Sequence, residues 1–244
     1  LAQPDTPGAF YRGLRLVAID GVVYNTPDTE ANDKAFGRPS GGDRGMGAFP
    51  QLRKVSLVEI GTHVELAFVL KRLACGETTA MEGLWKHVPV SSLLLEDRGF
   101  FSYKQWKRAL SENVAVLARV KSGLILKPLR NLSDGSYLAK IYPSSYDREK
   151  DRYGILVRVI RYHLDDPQRV GHDEEHVLMT TLLDEELYPA SELIPLYHER
   201  WEEEMTFDEQ KTHQDPRRAA KPAHLRSETP AGVIQEMYAL SLAH

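Results

Sequence analysis

The chain reads as an α/β domain interrupted by a β-rich insertion, and three observations predict that architecture. Apolar, β-branched runs alternate with helix-period segments over the first 120 residues. Residues 121–180 change to short alternating runs punctuated by Gly, Pro, Asp and Ser, and helical periodicity returns after about residue 190. With 244 residues, 42% of them hydrophobic and 27% charged, the chain can bury one substantial core and carry an embellishment.

Taken in order, the runs near 13–20, 51–60 and 63–70 predict strands, and 76–87 predicts a helix. A strand at 92–96, a helix at 102–112 and a strand at 114–120 follow. With the later helix the order is βββαβαβα, that of a ribonuclease-H-like core, assigned here to residues 1–120 and 181–244. SYLAKIYP and GILVRVIRYHL place strands inside the insertion, residues 121–180. The stretch Thr26–Pro50 holds RPSGGDRGMGAFP, which lacks the GxxxxGK[ST] spacing of a phosphate loop and reads as a flexible surface segment, close to any bound nucleic acid.

Four residues carry the chemistry of the late helix. Tyr197, Arg200, Glu204 and Lys211 are spaced by three, four and seven, which places them within an arc of roughly 60° on one helix face. Spacing alone reads first as an ordinary solvated face. An adjoining stripe of Ile194, Trp201 and Met205 gives the helix a flank to bury, so the charged stripe can border a cleft. Pro195 is expected near the helix start with Ser191 as its cap.

Leu14–Ile19 is an apolar run ending in Asp20, and Ser92–Leu95 is a second run ending two residues before Asp97. Either aspartate alone reads as a turn former. Two carboxylates at strand ends plus Glu204 on a cleft-facing helix make a coordinated site the more economical reading, because ligands gather at strand ends in α/β sheets. Magnesium needs such hard oxygen donors and leaves positions for water and phosphate. The gaps of 77 and 107 residues between the three mean that only folding can unite them.

YHERWEEEMTFDEQK from Tyr197 to Lys211, read as Y-x2-R-x3-E-x6-K, resembles the signature of DDE transposases of the insertion-sequence-four group. LVAIDGVVYNTPDTEANDKAFG from Leu16 resembles the family's first-aspartate region, LLLEDRGFFSY from Leu93 its second, and LRSETP at Leu225–Pro230 a downstream motif. The resemblance covers nearly the whole chain in the family's order. It implies a catalytic core that cuts and joins DNA, with Asp20, Asp97 and Glu204 as catalytic ligands of two Mg²⁺ ions, Mn²⁺ serving as substitute. Arg200 and Lys211 would hold phosphates, and Tyr197 would hydrogen-bond a phosphate oxygen or stack near the end base. The partners implied are transposon ends and target DNA, bound by a homodimer. Such relatives carry an N-terminal DNA-recognition region and a C-terminal extension; with Leu1 nineteen residues before Asp20 and an end at His244, both are expected to be missing.

Net charge of −4 is distributed unevenly. Arg119–His163 carries +6, Gly171–Glu209 carries −12, and basic residues return after Glu209. Basic flanks around an acidic centre suit phosphates beside a metal site, which marks Lys121, Lys127 and Arg130, with Lys140, as DNA-binding candidates. The resemblance implies an aromatic in the insertion, often Trp, that stacks a flipped base. The insertion has no Trp, so either one of Tyr137, Tyr142, Tyr146, Tyr153 and Tyr162 substitutes for it or ends are processed without a hairpin. Each of the five reads first as strand packing or a surface aromatic. HDEEH at His172–His176 is not HExxH and carries no zinc assignment. No run of 18 apolar residues, no signal-peptide pattern and a single cysteine, Cys75, expected in the core, fit a reducing cytoplasm, and the resemblance implies a prokaryotic protein associated with the nucleoid. Two readings compete with the transposase: a ribonuclease-H-like nuclease that only hydrolyses DNA, and a DNA-binding remnant without activity.

Overall fold

The computed structural model describes residues 1–40, 47–121, 123–163, 174–199 and 225–243. The chain forms two compact units. One comprises Leu1–Ala9, Ala18–Val88 and Trp201–His244, and the other Phe10–Val17 and Pro89–Arg200.

In the first unit, the strand β2 (Leu14–Asn25), which it shares from Ala18 onward, lies beside β3 (Gln51–Glu59), and β3 pairs antiparallel with β4 (Val64–Arg72). The expectation that Asp20 ends its strand is corrected, since β2 continues through Gly21 to Asn25. Val22 and Tyr24 point into a core with Phe36, Leu52, Val233 and Met237, so burial beyond Asp20 holds the strand extended. The β3–β4 turn places Gly61 at φ 84°, where an added Cβ would lie 2.6 Å from the Gly8 carbonyl carbon. Gly61→Ala is therefore expected to cost about 2 kcal/mol or more, from left-handed strain and a clash with backbone that cannot swing away. Urea unfolding of the variant against the parent checks this, and an unchanged midpoint would refute it.

Three local expectations in this unit fail. The Thr26–Pro50 stretch contains a helix, α1 (Glu30–Phe36), capped by Thr29, whose hydroxyl accepts from Asn32 N–H at 3.2 Å. Thr29 Oγ1 donates to Glu228 O and Asn32 Nδ2 to Ser227 O, so α1 is held by residues almost 200 positions away. The predicted helix 76–87 divides into α2 (Glu77–Met81) and a 3-10 turn at Trp85–His87. The break falls at Gly83, whose absent side chain lets Val69 approach, and Trp85 is fully buried beyond it. Cys75 is half-buried in the turn after β4 rather than a core residue. The last helix, α6 (Pro230–Ala243), buries Val233 and Met237.

The second unit has β1 (Phe10–Tyr11) paired with the start of β2. Its main sheet runs in the order β5 (Ser92–Glu96), β6 (Ala115–Arg119), β10 (His176–Thr180), β9 (Ile155–Tyr162), β8 (Tyr137–Ile141) and β7 (Arg130–Asn131). β5 and β6 are parallel, while β6–β10, β10–β9, β9–β8 and β8–β7 are antiparallel. All five residues of β5 are buried, as expected of a parallel strand covered on both faces. The connection between β5 and β6 is α3 (Tyr103–Ser111), which buries Trp106 and Ala109. Through β10, the strands of 121–180 extend the sheet that contains β5 and β6; α4 (Ser145–Glu149) is a short helix between β8 and β9. The α/β expectation agrees with this architecture.

The late helix begins earlier than expected. α5 (Ala190–His198) follows Pro189 at its N-cap; Ser191 lies inside it and Pro195 is internal. Pro195 leaves no N–H to bond Ser191 O, and the chain tolerates this within two turns of the start because α5 is packed through Leu193, Leu196 and Tyr197. No helix among the described residues is long and apolar enough to cross a membrane.

Candidate active site

Asp97 is the first residue beyond β5, half-buried, with its carbonyl accepting from Phe100 N–H at 3.0 Å to close a turn. β5 and β6 run parallel in register, Glu96 opposite Ala118, so the chain leaving β6 emerges beside Asp97. Arg98, Arg119, Val120 and Lys121 there line an open pocket of about 350 Å³, faced by Glu174, Glu175 and His176. Three cations at the carboxyl ends of two parallel strands make a place for phosphate. The sequence pointed to Lys121 but passed over Arg98 and Arg119. The available signal is that Arg119 ends an apolar run and Arg98 directly follows Asp97.

Behind Asp97 lies a buried polar pair. Glu96 is fully buried, Trp106 Nε1 donates to its Oε2 at 3.3 Å, and Oε1 has no hydrogen-bond partner among the described residues. Burial pushes the Glu96 carboxyl up to about 8, and the Trp106 hydrogen bond offsets only part of that rise. The Glu96 carbonyl accepts from Tyr197 Oη at 3.4 Å. Tyr197 is thus 4% exposed and reaches the backbone next to Asp97. Its hydroxyl faces β5, where the sequence reading had it facing a substrate phosphate.

Asp20 belongs to the other unit. It is half-buried in the interior of β2, and its Oδ1 accepts from Gly21 N–H at 2.7 Å. A Cβ on Gly21 would lie 3.1 Å from Glu77 Oε1, so glycine at that position admits the α2 carboxylate beside the Asp20 backbone. Arg53 on β3 pairs with Glu77 at 2.7 Å. Glu77 and Arg53 had no sequence signal, because nothing in a short amphiphilic helix marks which charge faces a strand. Asp20 and Asp97 each offer hard carboxylate oxygens in partly desolvated positions, the donor chemistry magnesium requires. Among the described residues no cluster of three His, Cys, Asp or Glu could hold a metal. Arg200, Glu204 and Lys211 lie outside the described residues, as do Trp201, Met205 and His172.

The remaining candidates separate by exposure. Lys121, Lys127 and Arg130 are exposed. Arg130 borders a second pocket of about 440 Å³ in which Asp184, Glu185 and Glu186 supply acid. Lys140 is tied to Asp151 at 2.8 Å. Of the five tyrosines, Tyr137 and Tyr162 are buried, and Tyr142 donates to Asp151 at 2.7 Å, while Tyr146 and Tyr153 are 59% and 71% exposed at the tip between β8 and β9. His176 is buried on β10 with its ring 5.3 Å from that of Tyr162, a packing role.

A family model described as a transposase DDE domain matches residues 11–244. The transposase InsG for insertion sequence element IS4 of Escherichia coli (strain K12) is 30% identical over 244 residues, covering 98% of this chain and 52% of the relative. The chain therefore spans about half the length of that relative. A cryo-EM structure of the piggyBac transposase synaptic complex with hairpin DNA superposes with a TM-score of 0.58 at 12% identity, covering 98% of this chain and 46% of that one, a likeness of fold. The match across nearly all of its length, together with the relative, places this chain in the transposase DDE domain family, in the insertion-sequence-four group.

Proposed function

We propose that the chain is the catalytic core of a transposase that cuts DNA at transposon ends and joins it to target DNA by divalent-metal-dependent phosphoryl transfer. The observation that carries the reading is the Arg98, Arg119 and Lys121 pocket directly beyond Asp97, which brings phosphate-binding cations to a carboxylate at the carboxyl end of a buried strand. Asp20, Asp97 and Glu204 would hold two Mg²⁺ ions, or Mn²⁺ in their place. Bound there, the ions would supply activation of the attacking oxygen and charge stabilisation of the leaving one. Arg98, Arg119 and Lys121 would hold the DNA backbone, with Lys127 and Arg130 as further contacts, and Arg200 and Lys211, outside the described residues, would clamp phosphates. Tyr197 orients the end of β5 from behind. Catalysis on both transposon ends calls for a homodimer.

The full-length gene product incubated with labelled end DNA tests this. Nicked and joined products are expected with Mg²⁺ and with Mn²⁺, and none with EDTA. Nicking without joining would replace the transposase by a nuclease. Binding with no cleavage in either metal would leave an inactive DNA-binding remnant.

A further inference from the structure

We propose that Arg158 and Asp134 form a strut that sets the position of α5, and through it the placement of Tyr197 against the end of β5. The inference rests on the reading of Asp97 and α5 as parts of the DNA-cleaving site.

α5 has Pro189 at its cap and no side-chain cap from that residue. Instead its first amide, Ala190 N–H, donates to Asp134 Oδ2 at 2.9 Å, from a turn 56 residues earlier. A carboxylate at this end also meets the positive pole of the helix. Asp134 is oriented by Ser136, whose N–H and hydroxyl donate to its Oδ1 at 3.1 and 2.6 Å. Burial raises the Asp134 pKa, but the bonds from Ser136 and Ala190 and the charge of Arg158 outweigh it and leave the carboxyl below its usual range.

Arg158 sits on β9 with no exposed surface. Its guanidinium donates to Ser136 Oγ at 2.8 Å, to Tyr188 O at 2.6 Å, to Asp184 O at 3.4 Å and to Asp134 Oδ2. One planar fork therefore gathers the β7–β8 turn, the segment leading into α5 and the strand β9. An apolar residue would occupy a fully buried strand position at lower desolvation cost, so an arginine here is better explained by the geometry it enforces than by net stability. The other contacts of α5 agree with a helix placed with care. Glu192 accepts from Tyr11 Oη at 2.7 Å and from Arg12 at 2.9 Å, and Tyr197 Oη reaches Glu96 O at the far end. α5 is one nine-residue helix packed through Leu193, Leu196 and Tyr197, so a shift at Ala190 is carried along it to Tyr197.

The test uses the full-length gene product with Arg158→Lys, which keeps the charge and loses the fork, Tyr197→Phe, and the two combined. Single-turnover cleavage of end DNA at saturating protein is measured beside DNA affinity and hydrogen exchange of the α5 amides. Arg158→Lys is expected to slow cleavage by about 10-fold or more, the order seen when reacting groups are displaced by a fraction of an ångström, with affinity within about 3-fold. The double variant is expected to be no slower than its slower parent, because both changes act on one placement. Amides Leu193–His198 should exchange faster in Arg158→Lys. Unchanged exchange, multiplicative rate losses, or a rate loss that disappears well below the melting midpoint would each overturn the strut. Asp134→Asn, which keeps an acceptor for Ala190, should act in the same direction, and it decides the matter if Arg158→Lys does not fold. A Tyr197→Phe enzyme cleaving at the parental rate would overturn the proposal that the strut acts through Tyr197, whereas a parent protein that does not cleave end DNA would remove the site reading instead.

Discussion

Asp97→Asn is expected to abolish cleavage of transposon ends, by more than about 100-fold, while DNA affinity stays within a few-fold of the parent. Asparagine matches aspartate in shape, and Asp97 is half-buried just past β5, held there by a backbone turn to Phe100, so the exchange leaves the local fold in place. What it removes is a negative oxygen donor, which a hard divalent ion requires. In the proposed function phosphate contact is assigned to Arg98, Arg119 and Lys121, which line the neighbouring pocket and which the substitution leaves untouched. Nicking in Mg²⁺ beside filter binding at fixed salt separates the two quantities. A variant cleaving within a few-fold of the parent would show that Asp97 holds no ion, and a variant that lost affinity in equal measure would show that the carboxylate serves binding alone.

Lys54→Met is expected to lower stability by about 3–5 kcal/mol, the cost of stranding a buried partner charge. Lys54 has no exposed surface; its Nζ lies 2.7 Å from Glu65, 2.8 Å from Ser241 Oγ on α6 and 4.8 Å from the Phe68 ring centre. Burial draws the Lys54 pKa down and Glu65 restores only part of it, so the ammonium draws on the Glu65 carboxylate for its charge partner. Met keeps the aliphatic stem but leaves Glu65 with Ser56 as its hydroxyl donor and no cation. Pairing it with Glu65→Leu removes the stranded charge, and the double variant should return to within about 1–2 kcal/mol of the parent. Urea unfolding reads both, the single variant shifting the midpoint down by on the order of 1 M. A single variant as stable as the parent would mean that water reaches Glu65.

The elements legible in the sequence are those whose signal is local. The run Ser92–Glu96, the helix Tyr103–Ser111 and the strand Ala115–Arg119 lie almost where their periodicity placed them, because burial of alternate or every third and fourth side chain writes itself into consecutive residues. The place of Asp97 at the end of β5 is legible for the same reason, as a carboxylate two residues past the apolar run Ser92–Leu95. The start of α5 was misplaced because Pro195 reads as a helix opener, whereas the helix is nucleated upstream by Asp134, 56 residues away. β2 runs past Asp20, where the apolar run Leu14–Ile19 stops, because Val22 and Tyr24 beyond it are buried.

By itself, then, the sequence determined an α/β order of elements and a family, and it marked candidate carboxylates for the site. Only the tertiary structure decided that Tyr197 faces the β5 backbone, that Arg98 and Arg119 join Lys121 around one pocket, and that Arg158, one of several arginines in a strand pattern, is buried at a junction of three segments. The physical reason is range. Helical and strand periods are set by neighbours a few residues apart, but the partner that makes a buried charge tolerable can lie anywhere along the chain, and its identity is settled only when packing excludes water and leaves that partner as the available counter-charge.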